Sequence, residues 1–467
     1  MFDRLYKELK FPTVINELLD CPGLLRLRDV RMANNQFVAF PSFATVTRYE
    51  HSLGVCFLAG ICADTLKLDE KDTIELMIAC LYHDVGTPPF AHAMEEVLQV
   101  KFGFDHEINL KNLIMGTTGE FDGDMAQIYQ GEGLKIKSVC QSKRVRDLGI
   151  DIHRIAKLAA GDRSEYLSPL INGSGIDLDN IDNIFRASSA MGIIPTDGGD
   201  IAISLAKSFI IDGGKIKYNG LYLSEINEWR RVRDIQYTAI FESVEDFSYQ
   251  TMIKKAILML LEDDDQTQKL NINSWKLTDS SITHEYLLEH AKSRDIIRRV
   301  LLCRPFTCLG ILYIQGECVA QYLNSHLQEI EDEVSNYFVS TLGITAKKIA
   351  SINTNVVVAN FFPDKRKRQF KDKAVLWGKE VKIDSSVEVV QGALLGLFTP
   401  FSNSNFKSIQ KNNTFERKIV SFRKNNLEDI INILSKGILA KFEISRYGGE
   451  DNRKSYTDTE SSQLGFF

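Results

Sequence analysis

The sequence lacks the features that mark membrane-spanning and disulfide-stabilised proteins. Its 467 residues contain no run of about 18 apolar residues, so no membrane span or membrane partner is expected. The segment from Met1 to Glu8 lacks the basic-then-apolar order of a secretory signal. The eight cysteines form no C-x-x-C pair, and several lie inside apolar runs, as buried free thiols do. We therefore expect a soluble protein of a reducing cytoplasm.

The charge balance argues against a surface devoted to nucleic acid. The net charge is −6, whereas binding to a phosphate backbone favours a basic surface. A basic stretch runs through Lys365-Arg-Lys-Arg, with Lys371 and Lys373 close behind. Such a run is usually a solvated loop, so nucleic acid is the less favoured partner.

Hydrophobic periodicity predicts helices over most of the chain. From about Phe11 to Leu323 the pattern is mainly helical, with apolar residues three and four positions apart in Ser52–Leu66, Asp72–Tyr82 and His92–Val100. One interruption surrounds Asp212-Gly-Gly, where β-branched and aromatic residues predict a short hairpin.

The texture changes beyond about residue 324. Ile349–Phe362 and Val387–Phe401 contain β-rich apolar runs, and Asn426–Lys436 has the pattern of a helix. We therefore predict a mainly α fold: a helical core with a short hairpin over residues 1–325, and a smaller mixed α/β part over residues 326–467. The second part is expected to serve oligomerisation or regulation.

Histidine is concentrated near the start of the chain. Four of the eight histidines fall within 56 residues: His51, His83, His92 and His106. Asp84 directly follows His83 at the end of an apolar segment, where a helix end can aim both side chains at one cation. Imidazole with carboxylate suits borderline and hard first-row metals. A His-Asp pair alone is weak evidence, so its neighbourhood decides the interpretation.

That neighbourhood resembles a known family. Thr47-Arg-Tyr-Glu-His51 precedes the pair, and Leu81-Tyr-His-Asp-Val-Gly-Thr-Pro-Pro-Phe-Ala-His-Ala-Met-Glu95 contains it. These blocks resemble the HD superfamily, and within it the deoxynucleoside triphosphate triphosphohydrolases, both the bacterial dGTP-hydrolysing branch and the branch with a sterile alpha motif. Other matching blocks, within residues 10–320, are Leu19–Arg28, Phe40-Pro41, Gly175–Asp182, Arg233–Phe241 and Leu277–Leu287.

The resemblance implies one divalent metal ion (manganese, magnesium, iron or zinc) within residues 48–186, held by His51, His83, Asp84 and Asp179. Such a donor set leaves coordination positions open for water and phosphate, as a catalytic site requires. Asp177 and Asp182 flank Asp179, and each is also a candidate ligand, helix cap or supporting residue. Asp182 is in addition a candidate substrate contact.

The resemblance also implies residues for proton transfer and phosphate binding. His92 and Glu95, at i and i+3 on one helix face, resemble an acid/base dyad in which the carboxylate fixes the imidazole tautomer. His106 matches another family histidine that reaches into the site. Arg48 and Arg233 are candidate phosphate clamps, because guanidinium binds phosphate oxygens in a bidentate manner. Arg230 and Arg231 compete with Arg233, and an ordinary surface ion pair is the alternative for each arginine.

The sequence departs from the family pattern near the expected substrate. Thr87 stands where these enzymes usually carry a histidine. Asn180 and Asn183 replace a lysine and a tyrosine of the sterile-alpha-motif branch, Ala187 replaces its aspartate, and Met32 replaces a glutamine near the nucleoside. The expected metal ligands and dyad are kept while substrate contacts change, which favours a hydrolase with altered substrate choice.

The predicted function is hydrolysis of a nucleoside triphosphate, preferably a deoxynucleotide, to nucleoside and triphosphate. The resemblance implies a homo-oligomer, dimer to hexamer, with nucleotide activators at subunit interfaces. One alternative is a phosphodiesterase or nuclease, since HD sites also cut phosphodiesters. Another is a nucleotide-sensing interaction module with little turnover. A sensor does not need the dyad of His92 and Glu95, so its presence favours catalysis.

Overall fold

The computed structural model describes residues 1–33, 40–117, 143–173, 175–194, 198–262, 270–344, 356–363, 373–376, 379–382, 392–401 and 414–447. The chain divides into two compact units. The first comprises Met1–Asp246, Ala256–Leu301 and Gln369–Val387, and the second comprises Phe247–Lys255, Leu302–Arg368 and Glu388–Phe467. The helix Val319–Leu342 runs through residue 325, where the sequence predicts the division; that boundary stays a prediction.

The first unit is built mainly from α-helices. They are α1 (Thr13–Leu18), α2 (Pro22–Arg26), α3 (Arg48–Leu66), α4 (Glu70–Tyr82), α5 (His92–Phe102), α6 (His106–Met115), α7 (Lys143–Asp147), α8 (Ile152–Ala159), α9 (Leu178–Met191), α10 (Gly198–Ala206), α11 (Leu223–Glu242), α12 (Val244–Glu262, whose residues 247–255 belong to the second unit), α13 (Asp279–Ser281) and α14 (Arg294–Leu301). The helical segment Ile282–Leu287 has π geometry.

Helix caps position the chemistry-bearing residues of this unit. α3 begins with a capping box, in which the Thr47 hydroxyl accepts from the Glu50 amide and the Glu50 carboxylate accepts from the Thr47 amide. α4 ends at His83, and α9 begins at Asp177, whose carboxylate caps it. α3 packs against both α4 and α9, and the short distances from His51 to His83 and Asp179 place the start of α3 near the end of α4 and the first turn of α9.

Strands of the first unit form two small sheets. β1 (Phe2–Asp3) pairs with β2 (Lys7–Glu8), and a four-stranded sheet has the order β3 (Phe209–Asp212), β4 (Lys215–Asn219), β7 (Lys373–Leu376), β8 (Lys379–Lys382). β3 and β4 are antiparallel, and the turn between them contains Gly213 and Gly214, both at positive φ, where glycine lacks the steric penalty of other residues. The predicted hairpin is therefore confirmed.

The second unit is a sheet covered by helices. Its antiparallel strands have the order β10 (Glu443–Arg446), β5 (Thr307–Gln315), β9 (Gly392–Thr399), β6 (Val358–Pro363). The helices α15 (Val319–Leu342), α16 (Thr414–Asn425) and α17 (Leu427–Lys436) pack against it. Buried apolar side chains such as Leu312, Phe338, Leu395 and Leu434 fill the space between sheet and helices.

The predicted fold class, mainly α with a smaller mixed C-terminal part, is confirmed. Three predicted helices lie within α3, α4 and α5, and the fourth, Asn426–Lys436, matches α17 with Asn426 as its N-cap. The prediction of a mainly helical region up to Leu323 was wrong for β5, which is a strand within that region. Buried residues alternate poorly along this strand because both of its faces are largely covered, so its sequence lacks the period that marks a half-exposed strand.

Two further expectations concern membrane-spanning helices and the basic run after Lys365. Among the described residues, no helix has the length and apolarity needed to cross a bilayer. The basic run from Lys365 to Lys371 lies outside the described residues.

Candidate active site

His51, His83 and Asp179 meet at one point of the first unit. One ligand atom from each lies within 4.8 Å of the others. His51 Nε2 is 2.9 Å from Asp179 Oδ1 and 3.2 Å from His83 Nε2. Ligand atoms bound to one octahedral cation at about 2.1 Å stand about 3 Å apart. The spacing of the three donors therefore fits a single divalent ion.

The outer nitrogens of the two imidazoles fix how their inner nitrogens face the cluster. His51 Nδ1 is 2.8 Å from Asp182 Oδ1, and His83 Nδ1 is 2.7 Å from the carbonyl oxygen of Cys80. Both partners accept hydrogen bonds, so each neutral ring carries its proton on Nδ1 and turns the Nε2 lone pair toward the cluster. When both rings are neutral, two lone pairs 3.2 Å apart repel each other, so either a proton on one Nε2 or a bound cation lies between them.

Carboxylates make the cluster attractive to positive charge. Although burial opposes the imidazolium, hydrogen bonds to Asp179 and Asp182 raise the pKa of His51 to about 10. Burial likewise opposes ionisation of Asp179, yet the two histidines hold the pKa of its carboxyl well below the usual range. The donor set of imidazole nitrogen and carboxylate oxygen thus fits the divalent ion that the sequence predicts.

Asp84 lies at the edge of this cluster. Its Oδ2 is 3.7 Å from His83 Nε2 and 3.9 Å from His51 Nε2, and it accepts from Arg48 Nη1 at 2.7 Å. Its Oδ1 accepts from the hydroxyl of Thr87 at 3.0 Å. Burial opposes the charge of Asp84, but the Arg48 guanidinium holds the pKa of the carboxyl well below its usual range. Thr87, in place of a family histidine, orients Asp84.

The two acidic residues flanking Asp179 have other partners. The Asp177 carboxylate accepts from the amides of Asn180 and Gly173, so it caps α9. Asp182 is fully buried and accepts from His51, from Arg186 Nε at 2.8 Å and from the Tyr6 hydroxyl at 2.8 Å. This placement behind His51 leaves Asp182 no open surface for the substrate contact predicted from the sequence.

A buried group behind Asp182 was not identified from the sequence. Arg186 is fully buried and pairs with both Asp182 and Asp3, the latter at 2.9 Å. Tyr6 donates to Asp182 and Asp3 pairs with Arg186, so two residues near the start of the chain belong to the buried network behind His51. The i, i+4 spacing of Asp182 and Arg186 is the only signal in the sequence. No local pattern points to Asp3 or Tyr6.

A second cluster joins His92, Glu95 and His106. Glu95 Oε2 is 3.1 Å from His92 Nδ1, and Glu95 Oε1 forms a short hydrogen bond with His106 Nδ1. The imidazoles are 65% and 49% exposed, whereas Glu95 is 20% exposed. The hydrogen bond that His106 donates to the Glu95 carboxylate raises the pKa of His106. Against the effect of burial, the two histidines hold the pKa of Glu95 well below its usual range. One carboxylate therefore orients two accessible imidazoles.

The two clusters lie within electrostatic reach of each other. Burial opposes the positive charge of Arg48. The Asp84 carboxylate, and more weakly that of Glu95, nevertheless raise the pKa of Arg48. Asp84 also adds to the effect of Glu95 on the pKa of His106. Arg48 Nε is buried and has no hydrogen-bond partner among the described residues. Arg48 is therefore joined to the metal-compatible cluster through Asp84 and keeps one buried N–H without a partner among the described residues.

Arg233 lies on the helix beside α9. α11 packs along α9 through Trp229 Nε1, which donates to the Asn180 carbonyl at 3.3 Å, and through Gln236, which accepts from Ser188 at 2.8 Å. The Arg233 guanidinium is buried and lies 4.5 Å from the centre of the Tyr237 ring. A contact between Arg233 and phosphate stays a prediction. Its competitor Arg231 is half exposed and pairs with Glu228.

Two of the altered family positions lie in an apolar cluster. Ala187 is fully buried there with Phe43 and Val46, and Met32 and Met191 pack against it. The local surroundings of Met32 and Ala187 are therefore apolar in this chain.

Comparison with known proteins agrees with this site. Residues 48–122 match the family model of the HD domain, so the chain carries an HD domain and the predicted resemblance is confirmed. A solved structure of a hypothetical protein from Aquifex aeolicus shares the fold, with a TM-score of 0.58 and 18% identity, covering 85% of this chain and 95% of that one.

Three curated relatives are similar over part of their length. An uncharacterized protein of Methanocaldococcus jannaschii is 23% identical over 308 residues, 64% of this chain and 58% of that protein. The Dictyostelium discoideum homolog of deoxynucleoside triphosphate triphosphohydrolase SAMHD1 is 28% identical over 207 residues, 41% of this chain and 36% of that protein. Human SAMHD1 is 31% identical over 100 residues, 20% of this chain and 16% of that protein.

Proposed function

We propose that this protein is a metal-dependent phosphohydrolase that converts nucleoside triphosphates, preferably deoxynucleotides, to nucleoside and inorganic triphosphate. The observation that carries the proposal is the convergence of His51 Nε2, His83 Nε2 and an Asp179 carboxylate oxygen on one point. This arrangement lies within electrostatic reach of a His-Glu-His cluster suited to proton transfer. The similarity to SAMHD1 proteins, which are named deoxynucleoside triphosphate triphosphohydrolases, suggests the class of substrate.

His51, His83 and Asp179 would hold the divalent ion, with Asp84 as a fourth ligand. When bound, manganese, magnesium, iron or zinc lowers the pKa of a water molecule and neutralises charge that develops on phosphate. The protein's own contribution is to keep both imidazoles in the binding tautomer, through Asp182 and the Cys80 carbonyl.

Proton transfer falls to His92, Glu95 and His106. Because Glu95 accepts from both Nδ1 atoms, each ring is held with Nε2 pointing away from the carboxylate. Glu95 raises the pKa of His106, which favours the protonated imidazole, and this ring would give its proton to the departing nucleoside oxygen. General acid–base catalysis of this kind contributes about 10²–10⁴-fold.

Phosphate binding falls to the two arginines. Arg48 and Arg233 would bind phosphate oxygens and hold the chain of phosphates in line, because phosphoryl transfer depends mainly on positioning and electrostatic stabilisation. The Nε–H of Arg48 is a donor without a partner among the described residues.

Substrate choice and assembly complete the proposal. The apolar surroundings of Met32 and Ala187 favour a nucleoside end that is recognised differently from that of the sterile-alpha-motif branch. We propose a homo-oligomer with a nucleotide activator, and a role for residues 326–467 in oligomerisation or regulation.

The test is a hydrolysis assay of the purified protein with Mn²⁺ or Mg²⁺. Single deoxy- and ribonucleoside triphosphates are supplied first, then mixtures, and products are separated by ion-exchange chromatography. His83→Ala should abolish release of triphosphate, whereas His153→Ala, which changes an exposed histidine of α8, should leave it unchanged. Nucleotide binding without release in any mixture would replace the proposal with a sensor. Cleavage of oligonucleotides alone would replace it with a nuclease.

A further inference from the structure

The loop from Val85 to Ala91 connects the two clusters of the site. It begins directly after His83-Asp84 and ends at His92, so its conformation fixes the distance between the metal-compatible cluster and the proton-transfer cluster. Two of its non-glycine residues have left-handed backbones, Phe90 with φ of 53° and Ala91 with φ of 47° and ψ of −122°. Such conformations are disfavoured for residues with a Cβ and persist only where surrounding contacts impose them.

One buried carboxylate supplies such a contact. Asp279 Oδ1 accepts from the amide of Phe90 at 2.8 Å, and Asp279 Oδ2 accepts from the amide of Arg31 at 3.0 Å. Arg31 in turn pairs with Thr47, the cap of the helix that carries His51. Asp279 is 6% exposed, and burial raises the pKa of its carboxyl to about 6. A charged carboxylate is thus kept in an unfavourable place, where it binds two backbone amides.

A buried arginine holds the other end of the same loop. Arg26 Nη2 donates to the carbonyl oxygens of Val85 and Thr87, at 3.1 and 2.6 Å. Its Nη1 donates to the carbonyl oxygens of Trp275 and Leu277, at 3.1 and 2.8 Å. Trp275, Leu277 and Asp279 belong to one short segment. This segment therefore supports both ends of the loop, directly through Asp279 and indirectly through Arg26.

We propose that Asp279 is a positioning residue, which holds the Phe90–Ala91 turn so that His92, Glu95 and His106 stay in register with the metal-compatible cluster. The inference rests on the proposed function of that site. Asp279 contacts none of the residues proposed to bind metal or move protons; it acts on His92 through the backbone two residues earlier. Its loss should therefore weaken proton transfer while metal binding stays intact.

The experiment compares Asp279→Asn with the unmodified protein in three measurements. An asparagine presents an NH₂ group to one of the two amides and so cannot satisfy both. Metal affinity, from competition with a chelator for Mn²⁺, should stay within about threefold. The pKa of the His106 imidazole, from NMR titration of isotope-labelled histidine in metal-free protein, should fall toward about 6.5. If Glu95 and the histidines lose register, kcat should fall about 10²-fold while KM changes little.

Two further variants distinguish positioning from general stability. Ala91→Gly removes the steric penalty at positive φ, so it should partly restore the His106 pKa and kcat when combined with Asp279→Asn. Alone, Ala91→Gly should raise the melting temperature and keep kcat, which tests the strained turn even if Asp279→Asn does not fold. Asp151→Asn is the matched control, because this exposed carboxylate also accepts from a backbone amide but caps α8.

Several results would overturn the inference. These are an unchanged His106 pKa and kcat in Asp279→Asn, a parallel loss of metal affinity, no rescue by Ala91→Gly, or a lower melting temperature of Ala91→Gly alone. The NMR and metal measurements need no turnover. If the unmodified protein releases no triphosphate, the proposed function fails while these measurements still decide the role of Asp279.

Discussion

Replacing Asp182 by asparagine should weaken metal binding without touching a proposed ligand. Each oxygen of the Asp182 carboxylate accepts two hydrogen bonds: Oδ1 from His51 Nδ1 and Arg186 Nε, and Oδ2 from the Tyr6 hydroxyl and Arg186 Nη2. In Asp182→Asn, the NH₂ group must replace one oxygen and face donors. If it faces His51, the imidazole is driven to the tautomer with its proton on Nε2, which removes the lone pair from the cluster.

The expected losses of metal affinity and of unfolding free energy follow from the hydrogen bonds that each substitution removes. Loss of an outer partner of a metal ligand usually lowers metal affinity about 10–100-fold, or about 1.4–2.7 kcal/mol. Arg186 is fully buried but keeps its ion pair with Asp3, so the loss of unfolding free energy should stay below the roughly 3–5 kcal/mol of a fully broken buried pair. Tyr6→Phe removes one hydrogen bond and keeps the charge, so it should destabilise the fold by about 1 kcal/mol.

Calorimetric titration of metal-free protein with Mn²⁺ measures these effects independently of substrate. Asp182→Asn should show the 10–100-fold loss, and Tyr6→Phe should bind within about threefold of the unmodified protein. Unchanged affinity in a folded Asp182→Asn protein would refute the argument, because His51 would then bind metal without its buried partner.

Other parts of the site give three further predictions. Glu95→Gln should lower the pKa of the histidine it holds in α6 and reduce kcat about 10²-fold, with metal affinity unchanged, by NMR titration and steady-state kinetics. Burial raises the pKa of Asp279 to about 6 in the folded state against an ordinary value of 3.8, so its contribution to stability is fully present below pH 3.8 and is lost as pH rises through 6. Relative to Asp279→Asn, the free energy of unfolding should rise by about 2 kcal/mol between pH 7 and pH 4, as measured by urea titrations. Gly54→Ala places a Cβ 1.9 Å from Asp182 Oδ2, so it should lower the free energy of unfolding by about 1–3 kcal/mol and weaken metal binding. Gly60→Ala, whose added Cβ has its nearest contact at 3.4 Å, should leave both nearly unchanged.

The sequence predicted the elements whose patterns are local. The apolar spacing in α3, α4 and α5 identified helices because residues three and four positions apart share one helix face; in α5 the buried residues Ala93, Met94, Val97 and Leu98 follow that spacing. The glycines between β3 and β4 identified the hairpin through their backbone freedom. β5 was not predicted because both faces of this strand are largely covered, and a fully buried strand lacks the alternating pattern that distinguishes a strand from a buried helix.

The site divides in the same way. His51, His83 and Asp179 were named from short blocks that resemble a family, and they meet in space. The support behind them was not predicted: Tyr6 is 176 residues from Asp182, and Asp279 is 189 residues from Phe90. Contacts across such distances in the chain leave no periodic signal. The burial of Asp182 could not be predicted from the sequence either. From the sequence alone, Asp182 was a candidate metal ligand, supporting residue or substrate contact.

The most direct test of the central claim is hydrolysis in ¹⁸O-labelled water with Mn²⁺ and the nucleoside triphosphate that the mixture assay selects. Attack of water on the α-phosphorus should place one ¹⁸O atom in inorganic triphosphate and leave the released nucleoside unlabelled, and His83→Ala should release neither product. Label in pyrophosphate or orthophosphate, or triphosphate release that persists in His83→Ala, would contradict the assignment of this cluster as the site of triphosphohydrolysis.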